Sequence, residues 1–300
     1  MMRIFLALLG LSTACTGDNA KDDSGTSADA DTDADTDSDT DTDTDTDTDA
    51  DPMTEAMLRV LHLGQGAPAV DIFVDGATPP AATLAFPSPD DAFDSGTAYL
   101  TLASGPHDIA VSAAKEGIDQ AILEVMALPL AVDTTTGAAA VGFLSQLDTK
   151  NPANNGPFAL QIITVSEDAT KLNGQTRLTL VHAGAGIGPV DVRLDDGDAD
   201  PKNDPRLADN LAFGSVAATP VEYAPAAVRV YIDASPNNGT NDADFVFDVP
   251  DVGESANTVY VYNEAPDGTP TPQVKVAVHR IEPNGTGVAE PTILSPVVFE

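Results

Sequence analysis

One stretch of this sequence occurs twice, 120 positions apart. The first copy runs from Leu58 to Asp75 and the second from Leu178 to Asp195, and 7 of their 18 positions are identical. The identical positions hold a leucine, a histidine, two glycines, a Val-Asp pair and a final aspartate. A fixed internal period of this kind indicates repeated copies of one structural unit. The chain of 300 residues is therefore predicted to contain two related domains.

The residues within and after each copy alternate in a way that predicts strands. Val70, Ile72 and Val74 alternate with Asp71, Phe73 and Asp75, and a period of two is typical of a half-buried strand. Similar short runs follow in both halves, separated by turn residues such as Asn155-Gly156 and Asn173-Gly174. The pattern predicts an all-β fold with two tandem antiparallel β-sandwich domains, at residues 56–171 and 175–300.

The N-terminus has the pattern of an export signal. A basic start is followed by the apolar run Ile4–Leu11, which is too short to cross a bilayer as a helix. The next residues, Leu11-Ser12-Thr13-Ala14-Cys15, resemble the bacterial lipobox, in which the cysteine is lipidated and becomes the first residue of the mature protein. We therefore predict a lipoprotein signal peptide at residues 1–14 and lipidation of Cys15, the only cysteine of the chain. By resemblance to lipoprotein sorting, Thr16 favours the outer membrane. A free thiol beside an ordinary cleavage site is the alternative.

Residues 15–55 are predicted to form an acidic tether. Between residues 18 and 51 there are 15 aspartates and one lysine, mostly in alternation with threonine or alanine. Because like charges repel and nothing apolar is available for burial, the segment is predicted to be disordered and extended. Residues 26–51 contain no glycine, so they lack the tight turns that a calcium cage needs.

The net charge restricts the classes of partner. The chain has a formal charge of −35, to which residues 18–51 contribute −14 and Arg3 contributes +1, so residues 52–300 have −22. Such a surface repels phosphate backbones and anionic lipids, so no nucleic-acid partner is expected. The expected partners are the membrane, through the lipid anchor, and an envelope polymer or protein.

Two pairs of residues recur at equivalent places and are candidates for chemistry. His62 and His182 do not have a second His or Cys at ligand spacing, and a zinc site needs three or four converging ligands. The favoured interpretation is that each ring bonds to the backbone of its own loop. Asp71 and Asp191 are interpreted as turn or edge carboxylates.

A catalytic site is not indicated by the remaining motifs. Ser104, His107 and Asp108 lie on one turn, whereas a catalytic triad is assembled from separate elements. The glycine pairs of the repeat precede strands, whereas a dinucleotide site needs a following helix. No catalytic residues and no cofactor are predicted, apart from a calcium candidate.

The calcium candidate is an acidic loop in the second copy. Its aspartates fall at positions 1, 3, 5 and 9 of an EF-hand-type loop, and they are Asp196, Asp198, Asp200 and Asp204. Pro201 stands where such a loop has its glycine. Two interpretations therefore stay open, a partial calcium site and a solvated acidic loop.

A resemblance to a known family rests on residues of the repeat. These are His62, then Ala67-Pro68-Ala69-Val70-Asp71-Ile72-Phe73-Val74-Asp75-Gly76, then Leu84-Ala85-Phe86. They resemble the bacterial envelope family known as domain of unknown function 4397. The second copy keeps Val190-Asp191-Val192 and Leu211-Ala212-Phe213-Gly214, so the resemblance extends over about residues 56–299. It implies tandem Ig-like sandwiches in an exported or lipid-anchored protein, and it implies no activity.

The sequence therefore predicts a lipid-anchored protein of the cell outer membrane with a non-enzymatic binding, adhesive or structural role. Whether it faces the cell surface is left open. The alternatives are a calcium-dependent or carbohydrate-binding surface module and a hydrolase with a site built from loops. Aromatic residues make up only 5% of the chain, and this scarcity disfavours a carbohydrate site built on stacking.

Overall fold

The first half of the described chain pairs as two four-stranded sheets. The computed structural model describes residues 55–86, 99–168, 172–195, 204–234, 243–264, 273–281 and 292–297. The strands of this half are β1 (Glu55–Gln65), β2 (Val70–Val74), β3 (Ala82–Leu84), β4 (Leu100–Ala103), β5 (Gly105–Ala113), β6 (Ala121–Leu130), β7 (Thr135–Phe143) and β8 (Gln161–Glu167). The order β4-β1-β7-β8 forms the first inner sheet, and β3-β2-β5-β6 forms the first outer sheet. Short 3-10 turns occur at Ile118–Gln120, Leu144–Gln146 and Pro152–Asn154.

The second half repeats this arrangement. Its strands are β9 (Thr176–His182), β10 (Val190–Leu194), β11 (Arg206–Leu211), β12 (Ser215–Val216), β13 (Val221–Tyr223), β14 (Val228–Asp233), β15 (Phe245–Val249), β16 (Ala256–Asn263), β17 (Val274–Ile281) and β18 (Thr292–Leu294). The order β9-β16-β17-β18, with β12 and β13 both on the free side of β9, forms the second inner sheet. The order β11-β10-β14-β15 forms the second outer sheet. The predicted all-β sandwich fold is confirmed, and the predicted domain boundaries stay predictions.

Each inner sheet also contains one parallel pair, which the sequence pattern did not predict. β1 runs parallel to β7, and β9 runs parallel to β16. Parallel neighbours need a long crossover between them. The chain provides it because it crosses to the outer sheet twice between β1 and β7, and twice between β9 and β16, with short strands of the inner sheet between the two crossings.

Each sandwich has its own apolar core between its two sheets. In the first sandwich Val60, Ile72 and Val111 belong to this core, and alternate positions of the same strands point away from it. In the second sandwich Leu180 and Ile232 have the corresponding role. The period of two in the sequence therefore selects the faces that fill both cores.

A third apolar layer joins the two inner sheets. Leu61 and Leu63 of β1 and Val141 of β7 pack in one cluster with Tyr260 and Tyr262 of β16. Tyr260 is 0% exposed and Tyr262 is 1% exposed, so these rings are covered as fully as any core residue. The sheets are stacked in the order outer, inner, inner, outer, and the described residues form one compact unit. In the described part of the chain, none of the helices has the length and apolar character needed to span a membrane.

Candidate functional site

The recurring histidine closes the turn that follows the first strand of each sandwich. The backbone N–H of Gly64 donates to Nδ1 of His62 at 3.3 Å, and Nε2 of His62 lies 3.1 Å from the carbonyl oxygen of Pro68. Because Nδ1 accepts a hydrogen bond, the proton of the neutral ring is on Nε2, which donates to Pro68. Both ring nitrogens are therefore used within the loop.

The second sandwich repeats this closure. Gly184 donates to Nδ1 of His182 at 3.2 Å, and Nε2 of His182 lies 2.9 Å from the carbonyl oxygen of Gly188. The glycine two positions after the histidine lets the loop pack closely, because a Cβ at Gly184 would lie 2.7 Å from Cδ1 of Ile187 and 3.2 Å from Cε1 of His182. The histidine and the glycine that recur in the sequence are thus parts of one loop structure.

The Leu-Ala-Phe string of each copy covers the same histidine. Phe86 packs edge-on against His62 with ring centroids 5.9 Å apart, and Phe213 packs edge-on against His182 at 6.2 Å. Leu84 pairs with Val70, and Leu211 pairs with Val190. The strand register therefore places each phenylalanine over the histidine ring of its own sandwich. In each copy the histidine, the glycine and the phenylalanine form one structural unit.

The buried rings are held neutral by their surroundings. Burial lowers the pKa of His62 to about 4, against the opposite effect of the carbonyl groups of Pro68 and Ala67. Burial also lowers the pKa of His182. His279 of β17 lies 2% exposed, and burial together with the nearby Arg59 lowers its pKa well below 6.5.

Acidification is expected to destabilise the fold through these histidines. Below pH 6.5 the unfolded chain takes up protons on rings that stay neutral in the folded protein. Each such ring therefore removes up to about 1.4 kcal/mol of unfolding free energy per pH unit as the pH falls from about 6.5 towards its folded pKa. Urea unfolding at a series of pH values between 4 and 7 measures the slope.

Asparagine variants test the assignment of this slope. An asparagine at position 62 or 182 can still accept the glycine N–H but does not titrate, so His62→Asn and His182→Asn should each flatten the slope. His107→Asn is the control of opposite sign, because the Ala103 carbonyl and the Asp75 carboxylate raise the pKa of His107. Its contribution is fully present below pH 6.5 and is lost as the pH rises through the raised folded pKa. If His62→Asn and His182→Asn both kept the wild-type dependence of unfolding free energy on pH, this dependence would not come from these two histidines.

His107 does not form a catalytic triad with its neighbours in sequence. Its Nδ1 lies 2.7 Å from Oδ2 of Asp75, and its Nε2 lies 2.6 Å from the carbonyl oxygen of Ala103. The same aspartate accepts the backbone N–H of Asp108 at 2.9 Å. This group joins the turn before β5 to the end of β2.

Asp71 and Asp191 hold neighbouring backbone in place on the outer sheets. Asp71 accepts the hydroxyl of Thr83 at 2.5 Å and the N–H of Lys115 at 2.7 Å. Asp191 accepts the N–H of Asn210 at 2.7 Å. Their exposed fractions are 6% and 2%, so each carboxylate is buried where it bonds to the backbone.

A central polar cluster lies between the sandwiches, and sequence reasoning missed it. Glu167 at the end of β8 pairs with Arg59 of β1, and both side chains are buried. The other carboxylate oxygen accepts the hydroxyl of Tyr99 at 2.9 Å, and Thr258 of β16 donates to the carboxylate from the second sandwich at 3.2 Å. A Cβ at Gly137 would lie 2.7 Å from Oε1 of Glu167, so this glycine makes room for the carboxylate. The signal in the sequence was a charged residue between apolar neighbours on β1.

The cavity in the second sandwich core offers no room for a ligand. It has a volume of about 10 Å³ and is lined by apolar side chains that include Leu180, Ile232 and Phe247. This volume corresponds to roughly one water molecule, and an apolar lining keeps such a space dry.

Several predicted site residues lie outside the described residues. These are Cys15 and three of the four calcium candidates, Asp196, Asp198 and Asp200. The fourth, Asp204, is 5% exposed and directly precedes the chain that leads into β11. Within the described residues, no group of three or more His, Cys, Asp or Glu side chains is arranged to hold a metal ion. The calcium site stays a prediction.

A comparison with protein-family models finds a match, which includes the first copy of the recurring motif. Residues 56–193 match the model of a protein family described as Domain of unknown function (DUF4397). The predicted family is therefore confirmed over these residues. The match includes the first sandwich and reaches β10 of the second, and a second complete copy of the DUF4397 domain stays a prediction.

The other comparisons add little. No curated protein matches the chain. Among solved structures the chain is similar to CBMbc, a family CBM26 module of Eubacterium rectale Amy13K solved in complex with maltoheptaose. The identity is 13% over 76% of this chain and 99% of that chain, with a TM-score of 0.22. A likeness of this extent carries no argument about a ligand of this chain.

Proposed function

We propose that the protein is a lipid-anchored component of the cell outer membrane whose two sandwiches form a non-enzymatic binding, adhesive or structural module. The observation that carries the proposal is that the recurring histidines and aspartates form hydrogen bonds to backbone groups of their own sandwich. His62 and His182 have both ring nitrogens bonded within their loops, and Asp71 and Asp191 accept backbone N–H groups. The residues most suited to chemistry thus stabilise loops and strands, and the first copy of the recurring motif lies within the residues that match DUF4397.

The charge of the surface favours a particular class of partner. Arg177 pairs with Asp168 and Glu222, and Arg229 pairs with Asp248, so these cations are neutralised by their own chain. Residues 52–300 retain a formal charge of −22. Complementary potentials favour association, so the partner is neutral, cationic or bridged by divalent ions.

Retention of envelope material tests the proposed module. The full chain carrying Cys15→Ser is immobilised and exposed to envelope extract and, separately, to exopolysaccharide. We expect a polymer or a protein to be retained without release of reaction products. Products that disappear when a surface residue of the sandwiches is changed would show an enzyme and overturn the proposal.

The lipid anchor has a separate test. Replacing Cys15 with serine removes the thiol that would carry the lipid, so metabolic labelling with a fatty acid should disappear completely in this variant. A wild-type chain that takes no label and is recovered in the soluble fraction would mean that the protein is secreted by ordinary signal cleavage.

A further inference from the structure

The edge strands of the four sheets differ in how they are protected from pairing with another chain. Natural edges are short, carry charged residues or proline, or are covered. Among the described strands, β3, β4, β12, β13 and β18 have two to four residues each. β6 contains Glu124 and Pro129, and β11 begins with Arg206. Val297 donates its N–H to the carbonyl of Val246, so the chain at Val297 lies beside the edge of β15.

Within the described part of the chain, β8 shows none of these protections over its first six residues. Its sequence is Gln-Ile-Ile-Thr-Val-Ser-Glu, and residues 161–166 contain no charge, proline or glycine. Among the described residues, β8 pairs along one side only, with β7. The final Glu167 is turned into the central polar cluster, where it pairs with Arg59. An edge of this length and composition presents unpaired backbone groups that fit another strand.

The second sandwich shows which kind of strand can pair with the outer side of β8. β17 is the equivalent of β8, and its outer side pairs antiparallel with β18 at Val276, Ala277 and Val278. Val276 and Val278 belong to the second sandwich core and are each 3% exposed. The register of the inner sheets places Ile162 and Thr164 at the equivalent points of β8, where Ile162 is half-buried and Thr164 is exposed. The first sandwich therefore has the acceptor strand, and its described residues include no counterpart of β18.

We propose that β8 is a docking edge that takes up an extended peptide segment of another protein as an additional antiparallel strand. The chemistry of the segment is that of β18 and its flanks, Pro-Thr-Ile-Leu-Ser-Pro-Val: uncharged, with apolar and hydroxyl side chains, and bounded by proline. A second copy of this chain is disfavoured as the occupant because each copy has a formal charge of −35 and like-charged copies repel. Strand addition of this kind obtains affinity from main-chain hydrogen bonds and specificity from alternate side chains. The inference rests on the proposed binding role, which it narrows to a polypeptide partner.

A synthetic peptide with the sequence of residues 291–297, capped at both ends and labelled with a fluorophore, is the probe. Fluorescence anisotropy measures its binding to the full chain carrying Cys15→Ser. We expect saturable binding that is at least tenfold weaker on Thr164→Lys, since a lysine on an edge strand opposes pairing. Thr101→Lys is the matched control, because Thr101 is an exposed threonine on β4, the opposite edge of the same sheet. It should bind the peptide as the parent does.

Backbone methylation of the peptide tests the strand geometry without changing the protein. Only alternate N–H groups of a strand face a given neighbour. Two peptides are compared, one N-methylated only at the position of Ile293 and the other only at the position of Leu294. One of them should therefore lose binding, and the other should keep it. Equal binding of both peptides, equal affinity of Thr164→Lys and Thr101→Lys, or no binding would overturn the proposal. Self-association of the chain that Thr164→Lys abolishes would overturn the choice of occupant. The retention of envelope material is measured independently, so failure of peptide docking and failure of the proposed function are distinguishable.

Discussion

Replacement of Glu167 with alanine is expected to destabilise the protein by about 3–5 kcal/mol, the range for removal of one partner of a buried ion pair. Arg59 is 5% exposed and Glu167 is 2% exposed, so the guanidinium would remain buried without its counter-charge. The variant would also leave the hydroxyls of Tyr99 and Thr258 without their acceptor. Urea unfolding of the full chain carrying Cys15→Ser measures the loss.

A double variant separates the charge from the packing. Buried ion pairs can often be replaced by apolar residues of similar volume at little cost, because the desolvation penalty disappears with the charges. Arg59→Met combined with Glu167→Leu should therefore be more stable than Glu167→Ala alone. Glu167→Gln keeps the size of the side chain and removes only its charge, so it should fall between the wild type and Glu167→Ala. A loss below about 1 kcal/mol for Glu167→Ala would mean that water reaches the cluster and solvates Arg59.

The sequence pattern was sufficient to predict the sandwich fold and most of its strands. Alternation in β2 and β10 selects the core-facing residues. The layer between the sandwiches was not predicted, although a signal for it was present. The run Leu58–Leu63 has apolar residues at both odd and even positions, and so has the run Val259–Tyr262, which is typical of strands that are buried on both faces.

The site was predicted in part. The strand-end position of His62 and His182 indicated a bond to loop backbone, and that bond is present in both copies. The position of Phe86 over His62 depends on a strand register that the sequence pattern does not state. Glu167 was missed because its partner Arg59 is 108 residues away in the chain. Periodicity contains no information on which distant strands become neighbours.

Separation of the chain between residues 171 and 172, at the boundary that the repeat predicts, is expected to destabilise both halves. The repeat alone predicts two independent domains, but the structure places an apolar layer between them. The separated first half would expose Leu61 and Leu63, and the second would expose Tyr260 and Tyr262. Burial of a large apolar side chain contributes roughly 1.5–3 kcal/mol, so the lost burial is comparable to the whole stability of a typical domain, about 5–15 kcal/mol.

Calorimetry and size-exclusion chromatography of residues 52–171 and 172–300, separately and mixed, measure this effect. Each half should melt at least about 10 °C below the parent, because 1 kcal/mol shifts the melting temperature by roughly 2–8 °C for domains between about 60 and 250 residues. An exposed apolar face also favours association, so an equimolar mixture should form a complex with a melting temperature close to that of the parent. Met126→Ala in the intact chain is the control, because Met126 is 40% exposed and its truncation should leave the melting temperature nearly unchanged. Two halves that melt at the parent's temperature and do not bind each other would show that the tyrosine layer contributes little. In that case the boundary predicted from the repeat would also be the boundary of cooperative unfolding.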